Sequence, residues 1–373
     1  MRLRHPSGRI VHLICGVSLT GARTLTDAFA IIDATAAELR AGLLAARGED
    51  PGRLGVALRL PYSLAAALVD DGRARTRLRA ELDARGIEVV TLNGGPGAEG
   101  GGSPPLPGSP DAEGSGPPPL PGAPGAEDAG SPPLPGGSGA EGADSPALSG
   151  GPGAEDAGSA PLSGGSGAEG GSLPPLPDWS QPARLQHTLG LARILVDLLP
   201  DEEVRGAVST CGLARRADWD EAHEKAVARH VARLSGGLAD LAWRVGRAVR
   251  AGFEPGPGQV LDSPEDTVAA LTRVDKDRLG LCLDLARVVR DWPAPRDGVD
   301  RLTDAGLSVI TVRVTDPSVA WQPVLRHLLA ADTARTEYIE VDAPGSAAVH
   351  LAYVIRELTA LGLVPEGEPC NAP

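Results

Sequence analysis

The fold is decided by the C-terminal third of the chain, which contains LGLCLD at 279–284, LSVITVRV at 307–314 and YIEV at 338–341. Each run is largely apolar and lacks the strict apolar–polar alternation of a half-exposed strand. This pattern indicates strands buried on both faces of a parallel sheet. Segments with helical spacing separate the runs, and repeated strand–helix units of this kind predict an α/β protein.

The same criterion predicts five further strands upstream. They are VHLICGV at 11–17, LGVALRL at 54–60, IEVVTL at 87–92, GAVST at 206–210 and a strand ending near 252–255. Eight parallel strands that alternate with helices predict a (β/α)8 TIM barrel, because right-handed crossovers close such a sheet on itself.

Helix signals lie between these strands. An apolar stripe at 3.6-residue spacing runs from Leu25 to Leu43, and Thr24 with Asp27 predicts its N-terminal cap. A long amphipathic helix is predicted over roughly 219–250. Ser263 followed by Pro264 predicts another helix start.

A repetitive segment separates the third and fourth strands. Between 94 and 177 the dipeptide Ala-Glu recurs every fourteen residues, with glutamates at Glu99, Glu113, Glu127, Glu141, Glu155 and Glu169. A single leucine per repeat buries too little apolar surface to offset chain entropy, which predicts a disordered insert. Its Pro-Pro-Leu-Pro copies are also suited to domains that bind proline-rich segments.

The predicted organisation therefore has four parts. Residues 1–93 form strands one to three of the barrel, and 94–177 form the insert of six repeats. Residues 178–364 form strands four to eight, and 365–373 form a flexible tail.

The net charge and the spacing of the cysteines indicate which partners and which cellular compartment to expect. The formal net charge of −14 argues against nucleic acid as a partner, because phosphate binding needs basic patches. Four well-separated cysteines without a C-x-x-C motif favour free thiols in a reducing cytosol. The N-terminal apolar stretch is short and contains His12, so we expect no signal peptide, no membrane insertion and a cytoplasmic protein.

Polar residues at the carboxyl ends of the strands are the candidate site residues, because function in such barrels lies at that face. They are Asn93, Ser209, Thr210, Glu254, Asp284, Arg313, Glu340 and Asp342. Glu254, Asp284 and Glu340 come from separate strands, and such carboxylates suit Mg²⁺ or Mn²⁺. The same acids are also suited to capping the next helix. His12, in the first strand, is a further ligand-binding candidate.

The order of these strand ends resembles the EboE metabolite-traffic family, whose members belong to the xylose isomerase-like, or sugar phosphate isomerase/epimerase, superfamily. The matching stretches are VHL at 11–13, GVALRL at 55–60, VTLNG at 90–94, DW at 178–179, RLQHTLGLAR at 184–193, VST at 208–210, FEP at 253–255 and LCLD at 281–284. The resemblance implies a small metabolite as ligand, a membrane prenyltransferase-like partner and, from the superfamily, a divalent metal such as Mg, Mn or Zn. A homodimer is also expected from the superfamily.

The sequence departs from the family pattern at two positions. Glu254-Pro255-Gly256-Pro257 stands where E-P-E-P is expected, and Arg287 stands where a histidine is expected three residues after Asp284. A guanidinium there places a permanent positive charge near the metal position. We expect Arg287 to pair with Glu254 or Asp284, which favours a site without metal and a degenerate member of the family.

Three functions follow. The first is an EboE-type metabolite-binding or metabolite-traffic barrel, whose ligand contacts Asn93, Glu254, Asp284, Arg287, Arg313, Glu340 and His12. The second is a metal-dependent sugar or sugar phosphate isomerase/epimerase. The third is an inert barrel whose proline-rich repeats recruit a partner.

Overall fold

A computed structural model describes residues 1–47, 52–94 and 177–366. The predicted insert therefore lies outside the described residues, apart from its two ends, and so do residues 367–373 of the predicted tail. The described strands are β1 (Arg2–Arg4), β2 (Ile10–Ser18), β3 (Leu54–Arg59), β4 (Ile87–Gly94), β5 (Arg205–Cys211), β6 (Ala248–Glu254), β7 (Leu279–Asp284), β8 (Val309–Val314), β9 (Tyr338–Val341) and β10 (Val364–Pro365).

The described helices lie between and around these strands. They are α1 (Leu25–Arg47), α2 (Tyr62–Asp70), α3 (Gly72–Ala84), α4 (Pro182–Leu198), α5 (Glu221–Val245), α6 (Pro264–Leu271), α7 (Leu285–Asp291), α8 (Pro295–Asp304), α9 (Gln322–Ala330) and α10 (Ala347–Ala360). None of the described helices combines the length and the apolar character needed to cross a membrane.

Strands β2 to β9 form the predicted barrel. Each pairs in parallel with the next, and β9 pairs in parallel with β2, which closes the sheet. All eight predicted strands are confirmed, and all six residues of β8 are buried, as a strand covered on both faces requires. We call the end where the carboxyl termini of these strands meet the mouth of the barrel.

The two short strands outside the barrel were not predicted. β1 runs antiparallel to both β2 and β10, with Leu3 paired to Val11 and to Pro365. Strands of three and two residues are too short to show a period of two, so their sequences carry no strand signal.

The helix caps follow the predicted chemistry. Thr24 Oγ1 accepts a hydrogen bond from the Asp27 amide at 3.2 Å, and the Asp27 carboxylate accepts one from the Thr24 amide at 2.9 Å. Ser263 Oγ accepts from the Asp266 amide at 3.1 Å at the start of α6. Both pairs satisfy amides that the first helical turn leaves without partners.

The predicted end of the long helix was wrong. α5 ends at Val245 and not near residue 250, because Gly246 adopts a left-handed conformation with φ of 73° and its amide bonds to the Ala242 carbonyl. Glycine adopts this conformation without steric cost and often terminates helices. The chain then enters β6 at Ala248.

Residues on both sides of the repeat segment belong to the same barrel, because β4 pairs directly with β5. The buried Arg184 of α4 joins the two ends of the segment. Its Nε donates to the Pro177 carbonyl at 2.8 Å, and its Nη1 donates to the Gly94 carbonyl at 2.9 Å. The chain therefore leaves and re-enters the barrel at nearly the same point.

Candidate functional site

Strand register brings the predicted polar residues together at the mouth. Asn93 of β4 lies beside Ser209 of β5, and Arg313 of β8 lies between Asp284 of β7 and Glu340 of β9. Because the strands are parallel, residues near the carboxyl ends of neighbouring strands lie at a similar height.

Arg313 lies between two carboxylates. Its Nη2 donates to Glu254 Oε1 at 3.0 Å, and its Nε lies 3.4 Å from Glu340 Oε2. Arg313 is 8% exposed and Glu340 is fully buried, so water screens this ion pair little. The side chain of Glu254 is 18% exposed and faces the mouth more openly.

A hydrogen-bond chain continues across the barrel from Glu340. Asn93 Nδ2 donates to Glu340 Oε1 at 2.6 Å, and Ser209 Oγ donates to Asn93 Oδ1 at 3.1 Å. We call Asn93, Ser209, Glu254, Arg313 and Glu340 the mouth cluster. Five strands, β4, β5, β6, β8 and β9, contribute these polar side chains to one contiguous network.

The two carboxylates of the cluster differ in acidity. Burial alone would raise the pKa of Glu254, but the charge and hydrogen bond of Arg313 outweigh it, and the pKa lies below its ordinary value. Burial raises the pKa of Glu340, the Asp342 charge adds to this, and Arg313 only partly opposes it. Glu254 is therefore the ionised partner of Arg313, and Glu340 is the easier of the two to protonate.

The cluster has hydrogen-bonding capacity left over. Among the described residues, Arg313 uses one of its five N–H groups in a hydrogen bond, the one to Glu254. The buried Nε of Arg313 has no acceptor in hydrogen-bond geometry, and the buried Oε2 of Glu340 has no donor. These two atoms face each other as an ion pair, so the capacity left for a further group is that of the other N–H groups of Arg313.

Asp284 takes the capping role that its position allows. Its Oδ1 accepts from the Ala286 amide at 3.0 Å, at the start of α7, and from Thr315 Oγ1 at 2.8 Å. Arg287 lies 3.6 Å from Asp284 Oδ2 with its side chain half exposed. The expected pairing of Arg287 is thus with Asp284, whereas Arg313 is the residue that fills the space between Glu254 and Glu340.

The three predicted metal ligands do not form a metal site. Within residues 1–47, 52–94 and 177–366, no group of three or more His, Cys, Asp or Glu side chains is arranged to hold a metal ion. Glu254 and Glu340 both face the Arg313 guanidinium, and Asp284 faces the start of α7. Glu254 and Glu340 are therefore engaged with a side-chain cation, and Asp284 with a backbone amide and with Thr315.

A second ion pair at the mouth was missed. Arg59 Nη2 donates to Asp342 Oδ2 at 2.6 Å, and both side chains are partly exposed. Gly16 lies directly beneath this pair, since a Cβ there would lie 2.7 Å from Asp342 Oδ1. The sequence signal was an arginine near the end of the second strand, which the apolar pattern of that strand obscured.

His12 is the predicted ligand residue that the structure separates from the others. It lies near the amino end of β2, where Nε2 is 3.6 Å from Glu203 and the ring lies 5.5 Å from that of Tyr338. Burial lowers the pKa of His12 to about 4, so the ring is neutral at pH 7. The reason is strand direction, because only the carboxyl end of β2 reaches the mouth.

The pockets beside the cluster differ in size. The pocket at Gly256, Asp284 and Arg287 encloses only about 20 Å³, room for one water. An open groove of about 760 Å³ lies just beyond the end of β8, where Thr315, Asp316 and Tyr353 line it. Neither of these two spaces is lined by a residue of the mouth cluster.

Comparison with known proteins identifies the fold but not the family. No protein-family model matches the chain, and no curated protein matches it. Among solved structures, L-ribulose 3-epimerase matches with a TM-score of 0.52 at 9% identity, covering 94% of each chain. D-allulose 3-epimerase from Methylomonas sp. matches with a TM-score of 0.50 at 11% identity, covering 94% of this chain and 98% of that one.

These similarities confirm the predicted (β/α)8 TIM barrel. At such low identity they show the fold alone. The resemblance to the EboE family is not confirmed by any of the comparisons and stays a prediction.

Proposed function

We propose that the mouth of the barrel binds a small, oxygen-rich metabolite of the sugar or polyol type, with Arg313 as the central hydrogen-bond donor. The observation that carries this proposal is the state of Arg313. It is more than nine-tenths buried, fixed by two carboxylates, and makes one hydrogen bond to the described residues. A guanidinium held in this way is preorganised for carbonyl, hydroxyl or carboxylate oxygens.

The surroundings of Arg313 suit a ligand with hydroxyl groups. Glu254 and Asp342 are partly exposed acceptors, and Arg59 is a partly exposed donor. A hydroxyl group both donates and accepts, so adjacent hydroxyls can bridge such alternating charges. The sugar epimerases of like fold support the same ligand class. A role in metabolite traffic, a prenyltransferase-like partner and a homodimer are finer predictions that rest on the family resemblance.

An isomerase or epimerase is the second candidate, because the two carboxylates at Arg313 differ in acidity. Ionised Glu254 would take a proton from the carbon beside a ligand carbonyl, and protonated Glu340 would give its proton to the carbonyl oxygen, which yields an enediol. Glu254 would then give its proton to the former carbonyl carbon, and the other enediol hydroxyl would give its proton to Glu340, which completes an isomerisation and restores both groups. Binding ranks first because Glu340 is fully buried.

The binding proposal is tested by calorimetry with a panel of ketoses, aldoses and polyols. We expect at least one to bind, and we expect Arg313→Met to abolish that binding. Arg287→Met is the matched control, since this arginine also lies at the mouth but pairs with Asp284. Unchanged affinity in Arg313→Met, or no binding by any member of the panel, would contradict the proposal.

Folding must be separated from binding in this test. Removing Arg313 leaves Glu254 without its partner, which costs roughly 3–5 kcal/mol for a buried ion pair. The double variant Arg313→Met/Glu254→Gln removes both charges and serves as the folded comparison.

The isomerase or epimerase function is tested separately by NMR in D₂O. Deuterium uptake at the carbon beside the ligand carbonyl, lost in Glu254→Gln, would favour an enzyme. No deuterium uptake would favour binding without catalysis.

A further inference from the structure

We infer that the Arg313 guanidinium takes the place of a divalent cation at the mouth, so that this barrel binds its ligand without a metal ion. The inference deepens the proposed function, on which its ligand-binding part rests. The metal part rests on the geometry of Arg313 alone.

The Arg313 side chain fills the space between the Glu254 and Glu340 carboxylates. Glu254 and Glu340 reach the mouth from β6 and β9, and Arg313 contacts both, at 3.0 Å and 3.4 Å. These are two of the three carboxylates expected as metal ligands. A hard cation would need oxygens within about 2.0–2.6 Å of its own centre, in the space that the guanidinium fills.

Charge excludes a cation from the same space. An arginine side chain stays protonated in proteins, so it cannot lose its positive charge to make room for a metal ion, as a lysine or histidine can. A divalent ion between Glu254 and Glu340 would lie within a few ångströms of this fixed positive charge, with little water to screen it. Glu340 is fully buried, so it cannot turn to solvent to make room.

The third expected ligand is engaged elsewhere. Asp284 accepts from the Ala286 amide and from Thr315, and its other oxygen faces Arg287. A metal recruiting Asp284 would have to break the cap of α7 as well as displace Arg313. Arg287 is therefore not what excludes the metal, although its place after Asp284 suggested that role.

A guanidinium in place of a metal ion changes which ligand groups the mouth of the barrel can recognise. Where a metal would offer a Lewis acid at one point, the guanidinium offers several N–H groups in a fixed plane. We therefore expect the ligand to present two neighbouring oxygens, as a hydroxyketone or a hydroxycarboxylate does, and to bind equally well in the presence of a chelator.

The test compares two identical substitutions at different arginines in the full chain. Arg313→His removes the fixed charge and places an imidazole, a common metal ligand, between Glu254 and Glu340. Arg287→His places the same ligand beside Asp284 and leaves Arg313 in position. Zn²⁺ and Mn²⁺ titrations by calorimetry, with elemental analysis of the dialysed proteins, measure the metal bound.

We expect Arg313→His to bind one metal ion per chain, and Arg287→His to bind none, like the wild type. Arg313→Met, which removes the charge but adds no ligand, should bind at least about tenfold more weakly than Arg313→His. Stoichiometric metal in Arg287→His, or none in a folded Arg313→His, would overturn the inference. A failure of sugar binding would remove the proposed function but leave these metal results unaffected.

Discussion

At the scale of single residues, Arg313 sets the charge balance of the mouth. It lowers the pKa of Glu254 against the effect of burial, while burial still keeps the pKa of Glu340 above its ordinary value. The two carboxylates therefore respond to pH with opposite signs, which makes their individual contributions separable.

The first prediction concerns acid stability. A carboxylate whose pKa is lowered by folding stabilises the protein above its unfolded pKa and loses that contribution as the pH falls through the folded pKa. Glu254→Gln should therefore flatten the loss of stability between about pH 5 and pH 3 in calorimetric melting curves. Glu340, with a raised pKa, loses its contribution as the pH rises from its unfolded pKa, about 4.5, through its folded pKa. Glu340→Gln should therefore remove a fall in stability above about pH 4.5, and the same pH window for both variants would refute this assignment.

The second prediction concerns His187, which packs against Tyr62 with ring centroids 5.3 Å apart. Burial lowers its pKa from 6.5 to about 4, and the nearby Arg184 adds to this. The unfolded chain binds the proton more readily, so stability should fall as the pH drops from about 6.5 to 4, by roughly 3 kcal/mol from this residue. Urea unfolding of His187→Gln across this range should show a shallower pH dependence than the wild type, and an unchanged slope would contradict the assignment.

Residue identity was easier to predict than residue pairing. The sequence indicated Asn93, Glu254, Arg313 and Glu340 as polar strand ends, and the structure brings them together. It did not indicate which arginine meets which acid. Arg287 follows Asp284 by three residues, whereas Arg313 of β8 reaches Glu254 of β6 across the intervening strand β7.

At the scale of elements, the strands were predicted well, because a strand that is buried on both faces requires consecutive apolar residues. Element ends were predicted less well, as α5 shows. Its apolar stripe continues into β6, and only the left-handed Gly246 and Arg247 separate the two.

The third prediction uses two glycines of this region. Gly246→Ala should destabilise the protein by about 1 kcal/mol, because alanine disfavours a φ of 73°. Gly236→Ala, inside α5 with open space around its Cα, should instead stabilise it by roughly 0.5–1 kcal/mol. Urea denaturation of both variants checks the contrast, and an equal effect of the two substitutions would refute the capping role.

At the scale of the whole molecule, two stretches on either side of the repeats build a single barrel. Arg184 holds Gly94 and Pro177 together, so the barrel can close without the residues between them. Similarity to sugar epimerases shows the same architecture, and the chemistry at its mouth must be argued from this chain's own residues.

The fourth prediction follows from this closure. Replacing residues 95–176 by two glycines should leave the melting temperature within a few degrees of the wild type, since loop length affects stability weakly. Sugar binding at the mouth should also persist. Loss of binding in the folded deletion variant would place part of the site in the repeats and would favour the scaffold function.

The central claim is that Arg313 serves as the cation of the barrel mouth. The most direct measurement is the metal content of the purified wild-type protein, determined by elemental analysis after incubation with Mg²⁺, Mn²⁺ or Zn²⁺ and dialysis. The account predicts less than stoichiometric metal under every condition. One metal ion per chain that is lost in Glu254→Gln would contradict it and would favour the metal-dependent isomerase over the metal-free binding function.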